Sequence, residues 1–412
     1  MDELTEAFLA LLKYGSVEGA VKPDLTGFDQ WPALLKLAGR HNVTPVIYKA
    51  LSEDPAGLPE GWEPLRKLVM VQCVRQARAN QKLGAFAREL GDAGLLMVVF
   101  KGRVLAELYR DPSTRISCDA DILIREEDYA QVVKILAGQG FRYENQASQE
   151  KVKSFKSEEL SVDLHLRIWG DITGKHIQVV EPLRIDDQGK LRNFHVGGVP
   201  VKTLGGQEHF LYLLVHFAKH FIIKGIGIRH LMDISLYYNA YRKEINTPEL
   251  WRLLDEMNFA SLCASVFTIC CSYLGMNDGI FEGASAYPKA EATDLLFADI
   301  LDAGVFGTTP ERSVSFNVVK ESYYLGVNRN RKGALWLHMI FPRPMALPAK
   351  YFYAKKHPIL LPVAWLHRWC SYLVHRVMRQ GNRVDLRKSL SMGDQRIRLL
   401  ESLGLVAGGE EH

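Results

Sequence analysis

Three observations in this 412-residue sequence predict an α+β fold, in which a small sheet-containing domain is flanked by helical regions at both ends. Apolar residues recur at helical spacing over residues 1–88 and again after Gly205-Gly206. Between Gly94 and Val201 the pattern changes to short strands and helices, punctuated by turn signals at Ser113, Gly138–Gly140 and Asp186–Gly189. Two of the short segments alternate apolar and polar residues strictly, as a half-buried strand does. The chain exceeds a single typical core, and three regions follow: a helical 1–90, a catalytic-type 91–205 and a helical 206–412.

The elements can be justified in order. Helices are expected at Leu4–Tyr14, at Trp31–Leu51 with a break at His41-Asn-Val-Thr44, and over a long amphipathic Leu65–Leu90 that packs on the sheet and walls a cleft. Val98-Val-Phe100 reads as a strand, Lys101-Gly102 as a turn, and Arg103 as the start of a helix. In the strand Asp119–Ile124 the period of two places Asp119 and Asp121 on one face, about 7 Å apart along the chain, with Ala120, Ile122 and Ile124 on the other. Glu126-Glu127-Asp128 opens a helix to Leu136, where acids suit the positive end. Leu160–Ile168 alternates again, with Val162, Leu164, Leu166 and Ile168 opposite Asp163, His165 and Arg167. Helices Leu211–Phe221, His230–Arg242 and Leu250–Leu274 follow.

The chemistry gathers on these strands. If the Asp163 strand lies beside the Asp119 strand, three carboxylates share one spot, a donor set suited to Mg²⁺, with Mn²⁺ as the alternative. Gly102 lets backbone approach a phosphate, the helix from Arg103 offers N–H groups, and Lys101 adds a positive charge. Nucleotide chemistry is the common implication. Arg115 suits either a phosphate or a surface salt bridge to Glu107 or Asp111. His216 and His220 share a helix face but lack the glutamate of a zinc-protease pattern; they form a polar seam or look into the cleft, with His165, as part of an acceptor site. Arg229 and Asp233, four apart, are either an ordinary helical ion pair or part of that acceptor site.

Lys101-Gly102, the Arg115-x-x-x-Asp119-x-Asp121-Ile-Leu-Ile124 run, Glu126-Glu127-Asp128, Val162-Asp163-Leu-His165, Leu211–His220 and Ile228–Asp233 together resemble the uncharacterised bacterial nucleotidyltransferases of the DNA polymerase β-like superfamily. The resemblance spans roughly residues 90–240, with a weaker echo near residue 360. It implies a small mixed-sheet catalytic domain and Mg²⁺-dependent transfer of a nucleoside monophosphate from an NTP to an acceptor hydroxyl. It implies Asp119, Asp121 and Asp163 as metal-binding catalytic residues, and Lys101, Gly102, Arg103 and Arg115 as nucleotide contacts. Where most of the superfamily has Gly-Ser in the turn, this chain has Gly102-Arg103. A binding module without turnover, and transfer of a terminal phosphoryl group, are the competing readings.

A net charge of +4 is too small to mark a nucleic-acid binder by itself. Six scattered cysteines form neither a zinc-ribbon spacing nor a disulfide framework, which points to buried thiols in a reducing cytoplasm. The acidic Met1-Asp-Glu-Leu-Thr-Glu lacks the basic start of a signal peptide, and no apolar run reaches membrane-spanning length. Between Gly326 and Lys388, however, thirteen Lys and Arg face one acid, Asp385, among Trp336, Phe341, Tyr351, Trp365 and Trp369. This section suits a polyanion, either single-stranded nucleic acid or an anionic membrane surface, or else forms a helical subdomain with solvated charges.

Overall fold

The computed structural model describes residues 1–53, 62–117, 119–144, 152–169, 190–223, 225–286, 289–304, 351–378 and 386–405, with positions 179, 341, 342, 344 and 347 between them. Cys118, the Asp186–Gly189 turn and much of the basic aromatic section, Trp336 included, lie outside the described residues.

Helix α1 (Glu3–Ser16) starts on Asp2, whose carboxylate accepts the Thr5 N–H at 2.8 Å. Helices α2 (Trp31–Arg40) and α3 (Thr44–Ser52) are separated at His41 and Asn42; Asn42 is left-handed at φ +55°, and Pro45 opens the next helix. The crossing of α1 and α3 is close, because a Cβ on Gly15 would lie 2.6 Å from the Val46 carbonyl oxygen. Helix α4 (Trp62–Asp92) buries Trp62, Val69 and Gln76, one residue in seven, over its first half, and Leu83, Gly84, Phe86, Ala87 and Leu90 toward its C-terminus. In that first half the stripe is narrow, so Leu68, Met70, Val71 and Val74 stay exposed.

Strand β1 (Val98–Phe100) leads into the short helix α5 (Gly102–Ala106). Then come β2 (Asp119–Leu123), α6 (Tyr129–Gly138), β3 (Arg142–Glu144), β4 (Val152–Lys156), β5 (Ser161–His165), β6 (Leu191–Val196) and β7 (Val199–Leu204). The strands form one mixed seven-stranded sheet in the order β3-β4-β5-β2-β1-β7-β6. β2 is parallel to β5 and antiparallel to β1, and β1 is parallel to β7.

Alternation divides the sheet between two cores. Val99, Ala120, Ile122, Val162 and Leu164 pack on one face against Leu83, Phe86, Ala87 and Leu90 of α4 and Val132 and Leu136 of α6. The C-terminal half of α4 packs on the sheet as expected, but on the face opposite the acids, so that half does not wall the cleft. Val98, Phe100 and Leu123 turn the other way, into a large core shared by α1–α3, α7 (Gly206–Ile223), α8 (Ile228–Tyr241), α9 (Thr247–Glu256), α10 (Ala260–Tyr273) and α11 (Ala290–Ala303).

Three boundaries differ from expectation. The single helix read over Leu250–Leu274 is two, α9 and α10, because Asn258 adopts φ +60° between them. Glu126–Asp128 forms a 3₁₀ turn ahead of α6. β5 ends at His165, so the alternation beyond it is carried by a bend rather than a strand.

Helices α12 (Phe352–Lys356) and α13 (Leu361–Met378) surround a small cluster of Leu347, Tyr351, Ala354 and Ala364. The outer side of this unit exposes Ile359, Val363 and Leu366. Helix α14 (Leu386–Ser402) returns to the main core through Ile397, Leu399 and Leu400. Its buried Arg396 pairs with Asp299 of α11 and donates to the Phe221 carbonyl of α7. Among the described residues no helix is long and apolar enough to cross a membrane.

Candidate functional site

The parallel pairing of β2 and β5 sets Asp121 directly opposite Asp163, with Asp119 two residues along the same face of β2. The register that brings the acids together also drives Ala120, Ile122, Val162 and Leu164 into the opposite core, so a one-residue slip of β2 on β5 would turn Asp119 and Asp121 into hydrocarbon. Asp121 is almost fully buried and carries two partners on one oxygen: Lys101 Nζ at 2.7 Å and His165 Nε2 at 3.0 Å from Oδ1. Burial alone would raise its pKa, but the Lys101 ammonium and then His165 hold it well below the usual carboxylate range. Asp163 accepts the Ser154 hydroxyl from β4 at 2.6 Å. Asp119, at the open end of β2, is exposed as a residue, yet its carboxyl is pushed up to about 6, first by desolvation and then by the charge of Asp121, with Asp163 adding to it.

Above the acids sits the Lys101-Gly102 turn. Lys101 has φ +54°, uncommon for any residue but glycine, and its backbone N–H donates to Nε2 of the fully buried His209 at 3.1 Å. His209 therefore carries its proton on Nδ1, and burial, then the Lys101 charge, pushes its pKa down to about 3. The Lys101 ammonium lies 5.2 Å from the Tyr212 ring centre and 5.5 Å from that of Phe100. Burial works against its charge, but Asp121 overrides this and raises the pKa. Gly102 is required because a Cβ there would stand 2.5 Å from Ser117 Oγ.

The turn is braced from behind. Arg115 is buried and forms a forked pair with Asp233 of α8, Nε to Oδ1 at 2.8 Å and a terminal nitrogen to Oδ2 at 2.7 Å. Its other terminal nitrogen donates to the Gly102 carbonyl at 3.0 Å and to Ser117 Oγ at 2.7 Å. Tyr109 donates to Asp233 Oδ1 at 2.9 Å, and the Ser117 N–H donates to Gln76 of α4 at 2.9 Å.

This arrangement corrects several expected roles. Arg115 is neither a phosphate contact nor a surface ion pair with Glu107 or Asp111; its donors hold the turn and α8 together. Asp233 is the counterpart of Arg115 rather than an acceptor contact, and the charge of Arg229, four residues before it, acts on it as well. Arg229 instead donates to the Ile116 carbonyl at 2.7 Å, and its charge is felt by Asp119 at the mouth of the cleft. Arg103 pairs with Glu107 at 2.5 Å, and α5, at five residues, is too short for a strong terminal dipole. His165 lies beneath Asp121 and edge-on to Phe100 at 5.0 Å, in the floor rather than at the opening.

His216 and His220 do share a face, with ring centres 4.3 Å apart, and His230 joins them at 6.5 and 6.4 Å. His216 also stacks on Tyr212 at 5.8 Å, which connects this seam to Lys101. Burial, and then the Lys101 charge, keeps His216 well below its ordinary pKa, so its imidazole is neutral. Sequence reasoning missed His209, Ser117, Ser154, Tyr109 and Gln76. Their partners are set by strand pairing and helix packing, from Asp163, nine residues beyond Ser154, to Asp233, 124 residues beyond Tyr109, and nothing local marks them.

Chemically, the three carboxylates are hard oxygen donors with an excess of negative charge at Asp119, which fits a divalent cation. They are not yet gathered around one: among the described residues no three His, Cys, Asp or Glu side chains stand in an arrangement that could hold a metal ion.

Residues 29–275, well over half of the chain, match the model of a family described as uncharacterised nucleotidyltransferase. The chain belongs to that family. The matched span contains the whole sheet, the Lys-Gly turn, and the α7 and α8 histidines. No curated protein matched the sequence. A crystal structure of an antigenic nucleotidyltransferase-like protein from Paracoccidioides brasiliensis aligns over 50% of this chain and 97% of its own, at 14% identity and a TM-score of 0.33, a likeness too slight to bear on the site.

Proposed function

We propose that this protein transfers a nucleoside monophosphate from an NTP to an acceptor hydroxyl with release of pyrophosphate. The observation that carries the reading is the registered Asp121–Asp163 pair, with Asp119 on the same face, below a strained Lys-Gly turn in a chain of a nucleotidyltransferase family. In the transfer, the acceptor oxygen attacks the α-phosphorus, a new O–P bond forms, and the bond from the α-phosphorus to the bridging oxygen breaks as pyrophosphate leaves. Asp119, Asp121 and Asp163 would hold Mg²⁺ or Mn²⁺, which supplies charge neutralisation for the triphosphate. Lys101 supplies positive charge at the turn, and Arg229, held on the Ile116 carbonyl, adds its charge near Asp119. Asp163, oriented through one oxygen by Ser154, takes the acceptor proton and passes it to solvent. His216 and His220 form one wall of the acceptor side. Candidate acceptors are a sugar, a small metabolite, a peptide, a tRNA or another protein, and the protein works in the cytoplasm.

One observation favours a second reading. Asp121 already has two partners, as it would in a module that binds nucleotide without turning it over. Incubating the protein in cell lysate with Mg²⁺ and NTPs labelled at the α or γ position separates the cases. Label retained from α alone supports nucleotidyl transfer. Label from γ alone points to phosphoryl transfer, and nucleotide binding without either points to the module.

A further inference from the structure

We propose that Lys101 is a built-in counter-cation of the acidic cluster: its ammonium holds Asp121 in the resting protein, so that Asp121 reaches a divalent cation only when a triphosphate draws Lys101 away. The inference rests on the nucleotidyl-transfer reading and deepens it, by making metal and nucleotide binding interdependent.

Two independent observations carry it. The first is contact geometry. Lys101 Nζ lies 2.7 Å from Asp121 Oδ1, and His165 Nε2 lies 3.0 Å from the same atom, so this oxygen is already engaged by two groups inside the protein. One oxygen of the opposing Asp163 accepts the Ser154 hydroxyl at 2.6 Å. A divalent cation shared by the three acids must compete with an ammonium in direct contact, within a buried setting where that contact is strong.

The second is backbone strain. Lys101 occupies φ +54°, ψ −124°, a conformation that glycine adopts freely and a lysine does not. A turn needing only that shape is best served by glycine. Instead the strain is held by the His209 bond to the Lys101 N–H, and the result is an ammonium delivered onto Asp121. The side chain is what the strained position secures.

The consequence is an exchange of partners. A triphosphate entering below the turn offers Lys101 oxygens of higher charge than one carboxylate, and Asp121 is released to the metal as the ammonium leaves. Metal alone then binds weakly, and nucleotide strengthens it. Removing the ammonium abolishes the competition.

The experiment is Mn²⁺ binding followed by the electron paramagnetic resonance of the free ion, with and without a non-transferable α,β-methylene ATP analogue. Wild type is compared with Lys101→Met, Lys101→Gly and Lys101→Arg. Glycine relieves the positive φ, so that variant keeps the test open should methionine fail to fold. Without analogue, the Met and Gly variants should bind Mn²⁺ at least tenfold tighter than wild type, with Arg staying within about threefold of it. The analogue should tighten Mn²⁺ binding strongly in wild type and much less in Met and Gly. Equal Mn²⁺ affinity in wild type and the neutral variants without analogue overturns the proposal while leaving nucleotidyl transfer standing. Absence of Mn²⁺ binding in every form, with and without analogue, overturns both.

Discussion

At the scale of single residues the site is a set of paired charges whose partners come from distant parts of the chain. Asp121 is the centre of one set, and its conversion to asparagine leaves the Lys101 ammonium buried beside a neutral amide. Asp121→Asn should therefore lower stability by about 3 kcal/mol, as expected for breaking one side of a buried pair. It should also remove the joint thermal stabilisation by Mg²⁺ and ATP; a mutant that keeps the full ligand-dependent rise in melting temperature would sink the metal assignment. Arg115 and Asp233 form the second set. Asp233→Asn strands the guanidinium that holds the Gly102 carbonyl, and a loss of about 3–5 kcal/mol in urea unfolding is expected. Gly102→Ala drives a methyl group against Ser117 Oγ, so the Gly102→Ala, Ser117→Ala double variant should lose less stability than the sum of the two single changes.

At the scale of elements, the parallel register of β2 and β5 does most of the positioning, and the hydrophobic face opposite the acids enforces it. Phe86 of α4 is fully buried in that face. Phe86→Ala should cost about 3–5 kcal/mol by opening a cavity, although the residue lies on the side of the sheet away from the cleft. Chemical denaturation measures this directly. Helix α13 behaves differently, because Leu366 is 59% exposed. Leu366→Glu should leave stability within about 0.5 kcal/mol of wild type. If the basic aromatic section engages anionic vesicles, as its composition suggests, the same change should weaken vesicle binding at about 50 mM salt, and about 200 mM salt should remove most of it. Flotation of vesicles rich in phosphatidylglycerol checks both effects.

At the scale of the whole molecule, N-terminal and C-terminal helices share the core that receives the acid-bearing face of the sheet, and buried histidines tie the pieces together. His41, between α2 and α3, accepts the Ile228 N–H on Nδ1 at 3.2 Å and donates from Nε2 to the Leu301 carbonyl at 3.1 Å. Its burial pushes its pKa down to about 4 from 6.5. Between those values the unfolded chain binds a proton that the folded one refuses, so stability rises with pH through this window and is lost as pH falls through it. The contribution from His41 is about 3 kcal/mol over the full window, and His209 and His230, both pushed down to about 3 with burial as the leading cause, act in the same direction. The urea midpoint should therefore fall steadily from pH 7 to pH 4, and His41→Gln should flatten part of that slope while lowering stability at pH 7. A midpoint independent of pH would contradict the buried neutral state of these imidazoles.

Sequence alone determined the helical flanks, the central sheet, the shared face of Asp119 and Asp121, and the apolar sides of both acid-bearing strands. These follow from periods of 2 and 3.6, which act between residues a few positions apart and so are written locally. What Asp121, Arg115, His165 and Asp233 do was decided by tertiary structure. A charge's role depends on which opposite charge lies within about 3 Å and how much water remains between them. The partners here are Lys101 with Asp121, 20 residues apart, His165 with Asp121, 44 apart, and Arg115 with Asp233, 118 apart. No periodicity connects positions so far separated. Only the pairing of β2 with β1 and with β5, and the packing of α8 behind the turn, bring them into contact, and that contact turned two expected ligand contacts into braces and gave one expected metal ligand a lysine partner.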